Sequence, residues 1–352
     1  MTPFEKAEHL RARSRFREAE KVYRQILRRE KPGPAHRAEA LLGLADVERI
    51  QGDFRASLSH YRAAEALLMG SDPDAAMDAK VGWALAARAM GRPKEALAVL
   101  QKALRFYRKD RDPAGLAFTH WALGGTLRIA GRMKEGLREL DQALALFKRL
   151  RDLDGVAYTC CALGGLHRML GGYAASGKYY REANRRMRAL DDVFGTAYSY
   201  CGLGNVERMA GRFRSALPYY CKAERLYGLI GDKVSYAYTL WSIGTAYKML
   251  GRHYPEAHWA FYKADRLFQK TGDTRGRTYA LLGFAESEWL QGHQAKGDAY
   301  WKRAKKIADQ SDFAWEALHV ESLRGGKVRD LSKRYRNAGS KFYPKTLPVN
   351  WP

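Results

Sequence analysis

Seven glycines mark the chain at a nearly constant interval, and this spacing constrains the fold more than any other feature of the sequence. Their intervals are 39 to 41 residues, and the four between Gly91 and Gly251 are 40 residues each. The seven are Gly52, Gly91, Gly131, Gly171, Gly211, Gly251 and Gly292. A fixed period of this size is typical of stacked supersecondary units, none of which buries its apolar face alone. We therefore expect a solenoid rather than a set of globular domains.

Each unit consists of two helical patterns separated by its turn glycine. The stretch Thr196–Arg212, TAYSYCGLGNVERMAGR, recurs in several variants along the chain. Two units begin with Asp72-Pro73 and Asp112-Pro113, which combine an N-cap residue with a proline suited to the first helical turn. We call the helix before the glycine helix A and the helix after it helix B. The pattern predicts an all-α, right-handed α-solenoid of about seven full helix pairs plus terminal caps.

Both ends of the chain depart from the repeat. Residues 1–34 predict a partial N-terminal unit, with helices over Phe4–Arg13 and Arg15–Arg28 and a break at Lys31-Pro32-Gly33-Pro34. Residues 35–312 carry the superhelix, and residues 313–352 predict a capping helix over 313–324 and a basic tail.

The tail offers two interpretations. Gly325-Gly326 interrupts the chain, and Pro344, Pro348 and Pro352 favour an extended end rather than a helix. One interpretation is a cap that covers the apolar face of the last unit. The other is a detachable arm that binds a partner or the groove itself.

Charge is the most unusual bulk property. The chain has 62 basic and 38 acidic side chains, for a formal net charge of +24. This excess predicts attraction to polyanions or acidic proteins, although part of it complements helix C-termini. The first residues lack an apolar signal core and no apolar run reaches the ~20 residues of a membrane span, so we expect a cytoplasmic protein. The four cysteines have no metal-binding spacing, and we expect them to be reduced.

Small residues, together with a leucine and an aromatic residue, recur where the helices of one unit should meet. Glycine inside a helix costs about 1 kcal/mol relative to alanine, and close helix contact is the expected compensation. The positions concerned are Leu203, Gly204, Gly211, Ala216, Tyr220 and Ala223. They resemble the tetratricopeptide repeat family over roughly residues 3–320, in a longer form similar to spindle-adaptor and kinesin light chain repeats. The resemblance implies stacked helix pairs, with helix A lining a concave groove.

Stacking converts equivalent helix A positions into columns along that groove. An aromatic column comprises Phe118, Tyr158, Tyr198, Tyr238 and Tyr279. A basic column comprises Arg49, Arg88, Arg128, Arg168, Arg208 and Lys248. The candidate ligand-binding residues are Phe118, Trp121, Arg128, Tyr158, Arg168, Tyr198, Asn205, Arg208, Tyr238, Trp241 and Lys248.

Each column also has a structural interpretation. Aromatic stripes at helical spacing are usually core, so the first column could serve packing between units. The basic side chains lie three residues before a turn glycine, where the helix dipole favours any cation. The dipole does not select arginine over lysine, however, and five of the six are arginine, which suits carboxylate and phosphate recognition.

Catalytic motifs are weak. Gly172–Tyr179, GYAASGKY, approaches a phosphate-binding loop but has Tyr179 where a magnesium-binding Ser or Thr belongs. His120 and His167 belong to different units, and no local catalytic or metal constellation can be assembled around them. The sequence therefore predicts no enzyme, no cofactor and no metal site.

We expect a non-enzymatic scaffold that binds an acidic protein segment in the groove, as an adaptor, assembly factor or chaperone-like protein. The alternative is a solenoid that binds single-stranded RNA or DNA, with aromatic rings stacking on bases and arginines neutralising phosphates. A third hypothesis, a sensor of a small molecule or signalling peptide, requires a closed pocket and usually an output domain, and no such domain is visible in the sequence. Partner, pathway and oligomeric state are not specified by the sequence.

Overall fold

The protein is an array of paired α-helices. The computed structural model describes residues 1–28, 33–311, 313–324, 328–337, 340, 344 and 346–352. In chain order its 18 helices are α1 (Pro3–Ala12), α2 (Phe16–Arg28), α3 (Pro34–Gln51), α4 (Phe54–Leu68), α5 (Pro73–Ala89), α6 (Pro93–Asp110), α7 (Pro113–Ile129), α8 (Met133–Leu150), α9 (Leu153–Met169), α10 (Tyr173–Ala189), α11 (Val193–Met209), α12 (Phe213–Ile230), α13 (Lys233–Leu250), α14 (Tyr254–Thr271), α15 (Thr274–Leu290), α16 (Gln294–Asp309), α17 (Ala314–Ser322) and α18 (Val328–Asn337). The seven units are the pairs α3–α4 to α15–α16, which confirms the predicted α-solenoid.

Local chemistry sets the helix boundaries. The first helix of six consecutive units begins at an aspartate whose side chain accepts a backbone N–H of the first turn. These caps are Asp72, Asp112, Asp152, Asp192, Asp232 and Asp273. The seven turn glycines have φ between 64° and 85°, the left-handed region that other residues rarely adopt. Of the predicted breaks, Lys31-Pro32 and Gly325-Gly326 lie outside the described residues.

Aromatic side chains of helix B interlock the units. The ring of Tyr180 lies against Gly164 of its own unit and against Gly202 of the next, where a Cβ would come within 2.9 Å and 2.1 Å of ring carbons. Phe261 lies in the same way between Gly244 and Gly283. Because any side chain at these glycines would overlap the ring, the glycines allow the close helix contact that offsets their low helix propensity.

The superhelix coils back on itself, so that the N-terminal pair contacts the fifth unit. The rings of Phe16 and Phe194 lie 6.0 Å apart. The backbone N–H of Phe194 donates to Ser14 Oγ at 3.3 Å. One superhelical turn is therefore completed in about five units, and the helices A face an enclosed interior.

The C-terminal helices cross from the last unit to the middle of the array. Trp315 of α17 and Tyr335 of α18 pack in one core with Met133, Leu166 and Met169. Helix α18 was not predicted. Its basic sequence packs through Leu331 and Tyr335 against the core that it shares with α17. Beyond it, residues 349–352 lie in the interior, with Trp351 completely buried.

Within the part of the chain that the structure describes, no helix has the length and apolar character required to cross a bilayer.

Candidate functional site

The interior of the superhelix contains a cavity of ≈ 240 Å³. Helices A of five consecutive units, α7 to α15, contribute to its wall. It brings together six of the predicted groove residues, namely Arg128, Arg168, Tyr198, Asn205, Tyr238 and Trp241. Residues four units apart in sequence therefore meet at one site.

Arg88 and Arg128 reach from their own unit to the next. Arg88 Nη1 donates to the Ala122 carbonyl at 3.1 Å, and a Cβ at Gly125 would lie 2.5 Å from the same nitrogen. Arg128 Nη1 lies 3.9 Å from the Met169 sulfur. These two guanidinium groups thus lie against the following helix A, and Gly125 provides the space that Arg88 needs.

Arg168 brings two buried donor atoms without partners to the site. Its Nε and Nη1 are both buried, and neither has a hydrogen-bond partner among the described residues. Among the same residues, no carboxylate forms an ion pair with Arg88, Arg128 or Arg168. A buried donor without a partner costs about 1–3 kcal/mol and more when charged, so the arrangement favours an incoming anion.

The positive field in the interior also affects Arg88. Burial, together with the nearby charges of Arg128 and Arg49, lowers the pKa of Arg88 to about 9. The guanidinium group remains charged at neutral pH, but its charge is destabilised by its surroundings. An anion bound nearby would relieve this repulsion.

The donors of Arg208 are already occupied by other residues of the same chain. It is completely buried, and its Nη1 donates to Asn350 Oδ1 and, at 2.8 Å, to the Trp351 carbonyl. Its Nη2 donates to Asn205 Oδ1 at 3.2 Å, and its Nε donates to the Tyr220 hydroxyl at 3.2 Å. Burial lowers the pKa of Arg208, and Arg168 opposes its charge as well.

Lys248 occupies the next position of the basic column and is also engaged. Its Nζ lies 2.8 Å from Glu286 Oε2, and both side chains are completely buried. The same Nζ donates to the Val349 carbonyl at 2.9 Å. Burial lowers the pKa of Lys248, against the attraction of Glu286. Residues 349–352 thus cover the Arg208–Lys248 end of the column, while the Arg128–Arg168 end adjoins the cavity.

The aromatic residues have different surroundings along their column. The Tyr158 hydroxyl donates to Asp192 at 2.6 Å. Trp241 Nε1 donates to the Tyr279 carbonyl at 3.2 Å, which fixes the indole in the cavity wall. Phe118 is 41% exposed, lies outside the cavity and stacks on Trp121 at 5.4 Å between ring centroids. Of the aromatic column, Tyr198, Tyr238 and Tyr279 line the cavity.

Some residues of the interior were not anticipated. Arg275 lines the cavity and binds Glu316 of α17 at 2.7 Å, and Tyr279 donates to the same carboxylate at 2.8 Å. No repeated pattern distinguishes Arg275 in the sequence, but Glu286 departs from the repeat in a way that the sequence does show. It lies six residues before its turn glycine, where the preceding units have Gly165, Asn205 and Thr245, so that a carboxylate replaces small or neutral residues.

A larger depression of ≈ 650 Å³ lies on the outside, between α6, α7 and α8. Arg108, Arg138 and Arg149 line it, together with Asp141. It is open to solvent and contains none of the predicted groove residues. We place the candidate site in the smaller interior cavity, because the buried guanidinium nitrogens of Arg168 that lack partners are located there.

Comparison with known proteins identifies the repeat in the central units. The tetratricopeptide repeat family model matches residues 157–228, which span α9 to α12. No curated protein matches the chain in sequence.

Several solved structures share the fold. A Rap protein complexed with competence and sporulation factor is 13% identical, with a TM-score of 0.58 and coverage of 88% of this chain and 97% of that one. The Rap conjugation gene regulator of plasmid pLS20, complexed with the Phr* peptide, is 16% identical, with a TM-score of 0.65 and coverage of 79% and 75%. A chain of the APC/C hetero-tetramer Cut9-Hcn1 is 17% identical, with a TM-score of 0.63 and coverage of 94% of this chain and 54% of that one.

Three observations agree on the repeat. The glycine register gives the period, the seven helix pairs give the architecture, and the family model matches the central units. Residues 157–228 therefore match the tetratricopeptide repeat family, and the remaining units share their period and paired-helix architecture.

Proposed function

We propose that this protein is a non-enzymatic scaffold that binds an acidic segment of another protein in the interior of its superhelix. The observation that carries the proposal is Arg168, whose Nε and Nη1 are buried without partners at the wall of the cavity. Arg128 adjoins the same cavity and forms no ion pair with a carboxylate among the described residues. Two guanidinium groups without counter-charges are a site for carboxylates.

Desolvation makes these cations effective donors. Each hydrogen bond to a charged group contributes about 1.5–3 kcal/mol, and the enclosed interior screens it less than a surface site would. Tyr198, Tyr238 and Trp241 supply apolar surface beside the charges. The combination suits a peptide in which acidic residues alternate with other side chains.

A peptide fits this interior better than a run of stacked bases. The cavity of ≈ 240 Å³ accommodates one or two side chains, and the rings of Tyr238 and Trp241 pack against Phe268 and Tyr279 instead of standing free. Two structures of similar fold, the Rap protein and the Rap regulator of pLS20, hold competence and sporulation factor and the Phr* peptide. These complexes support a peptide ligand for the present chain.

The test measures the binding of a fluorescein-labelled peptide of three Glu-Gly-Ser repeats by fluorescence anisotropy. Its glutamates are about 10 Å apart when extended, close to the ~8–10 Å spacing of packed helices. We expect the double variant Arg128→Gln/Arg168→Gln to bind about a hundredfold more weakly, since two charge-assisted contacts are lost.

The matched control is Arg185→Gln/Arg186→Gln, which removes the same formal charge from α10. Both of these arginines pair with Glu182, and Arg185 is 66% exposed. The control should retain wild-type affinity. Equal losses in the two double variants would mean that binding follows net charge. A steep salt dependence with a single-stranded oligonucleotide would then favour the nucleic-acid alternative.

A further inference from the structure

Residues 349–352 are held in the interior by contacts like those that a bound peptide makes. The Asn350 side chain pairs with Arg208, accepting from Nη1 and donating from Nδ2 to the Arg208 carbonyl at 2.8 Å. The Trp351 carbonyl accepts from the same Nη1 at 2.8 Å. One arginine of the basic column therefore binds both an amide side chain and a backbone carbonyl of this segment.

A buried ion pair binds the other side of the segment. Val349 donates its backbone N–H to Glu286 Oε2 at 2.7 Å and accepts from Lys248 Nζ at 2.9 Å. Trp351 Nε1 donates to Glu286 Oε1 at 2.8 Å, and its ring lies 4.3 Å from that of His319. The Lys248–Glu286 pair thus satisfies the segment's backbone and indole, as peptide-binding sites satisfy their ligands.

The segment also limits the room at the proposed site. Pro352 forms part of the wall of the cavity that contains Arg128 and Arg168. With the segment in place the cavity measures ≈ 240 Å³, which is below the ~300–1,000 Å³ of typical ligand pockets. An extended acidic segment cannot follow the column from Arg168 to Arg208 while Asn350 and Trp351 are bound there.

We propose that Val349–Pro352 is an internal ligand of the groove, and that an acidic partner must displace it to extend along the basic column. The proposal concerns regulation of the site described above and rests on the proposed function. An attached segment acts at a high effective concentration, so weak contacts keep the groove closed in most molecules. A partner's apparent affinity is then reduced by the fraction of molecules that are open.

The test uses the full chain with Asn350→Ala/Trp351→Ala, and a fluorescein-labelled peptide of residues 346–352, TLPVNWP, as the probe. The peptide should bind this variant at least about tenfold more tightly than it binds the wild type, whose groove is occupied. The Glu-Gly-Ser peptide should gain about tenfold in affinity for the same variant. The matched control is Trp259→Ala, since Trp259 is 57% exposed and its loss leaves the groove unchanged.

A measurement on the unmodified chain tests the proposal even if the double variant misfolds. Saturating Glu-Gly-Ser peptide should accelerate hydrogen exchange at the Val349 amide, which is bonded to Glu286 in the closed form. Unchanged exchange at saturation, or equal binding of TLPVNWP to the wild type and the variant, would overturn the internal-ligand proposal.

The two proposals fail in different ways. If the acidic peptide binds through Arg128 and Arg168 with the same affinity for the wild type and the variant, the internal ligand is contradicted and the proposed function stands. If TLPVNWP binds the double variant alone while the acidic peptide binds neither protein, residues 349–352 do occupy a peptide site. The acidic-ligand function is then wrong.

Discussion

Replacing Gly204 tests the contact between helices A and B of one unit. A Cβ at this position would lie 2.5 Å from Cε1 and 2.7 Å from Cδ1 of Tyr220, against about 3.5–4.0 Å for an unstrained contact. Tyr220 cannot retreat freely, because it is completely buried and its hydroxyl donates to Asn205 Oδ1 at 2.9 Å. Even Gly204→Ala must therefore move the ring by about 1 Å.

The expected change in the free energy of unfolding is the balance between helix propensity and overpacking. Alanine contributes up to about 1 kcal/mol through helix propensity, whereas overpacking costs about 1–3 kcal/mol and a weakened hydrogen bond costs about 1 kcal/mol. We expect Gly204→Ala to lower the free energy of unfolding by about 1–3 kcal/mol, and Gly204→Val to lower it further. The measurement is urea denaturation followed by circular dichroism.

Gly228 of α12 provides the matched control, because a Cβ there meets nothing within 4 Å. Gly228→Ala should raise the free energy of unfolding by about 0.5–1 kcal/mol through helix propensity alone. The two glycine-to-alanine changes should thus act with opposite sign. Stabilisation of both to the same extent would refute the close approach of Tyr220 to helix A.

Two further predictions concern buried charges. Lys248→Met leaves Glu286 without its cation and should lower the free energy of unfolding by about 3–5 kcal/mol. The double variant Lys248→Met/Glu286→Leu should lower it by less than the sum of the two single changes. A double-mutant cycle measures this difference. Burial raises the pKa of Asp232 to about 6, despite hydrogen bonds from Ser235 and Val234. The folded state therefore retains this proton longer than the unfolded state, and the contribution of Asp232 to stability falls as the pH rises from about 4 to above 6. Asp232→Asn keeps an N-cap and should remove this loss, so its advantage over wild type should grow by about 2 kcal/mol between pH 4 and pH 7 in urea titrations.

Local features of the fold could be predicted from the sequence. Turn glycines and aspartate caps act within a few residues of where they stand, so the helix pairs and their number followed from spacing. The contact of Gly204 with helix B was also predicted, because neighbouring helices of a repeat meet at fixed positions. The structure confirms that contact at Tyr220.

Contacts between distant units were beyond the sequence pattern. A repeat specifies how each unit meets its neighbours, but the closure of the superhelix brings Arg208 to Trp351 and Met169 to Ser340 across more than 140 residues. Equivalent positions therefore acquire different surroundings. Phe118 is exposed at 41% although it shares a column with Tyr198 in the cavity wall. Spacing could identify the columns, but it could not show which members the C-terminal segment would cover.

The most direct test of the acidic-segment proposal is a thermodynamic cycle between ligand charge and protein charge. The affinities of the Glu-Gly-Ser peptide and of a Gln-Gly-Ser peptide of equal length are measured by titration calorimetry for the wild type and for Arg128→Gln/Arg168→Gln. We predict that the wild type prefers the glutamate peptide by about a hundredfold and that this preference nearly disappears in the variant, because the carboxylates then lack their buried donors. The same preference in both proteins, or its loss in Arg185→Gln/Arg186→Gln as well, would contradict recognition of an acidic segment by the interior arginines.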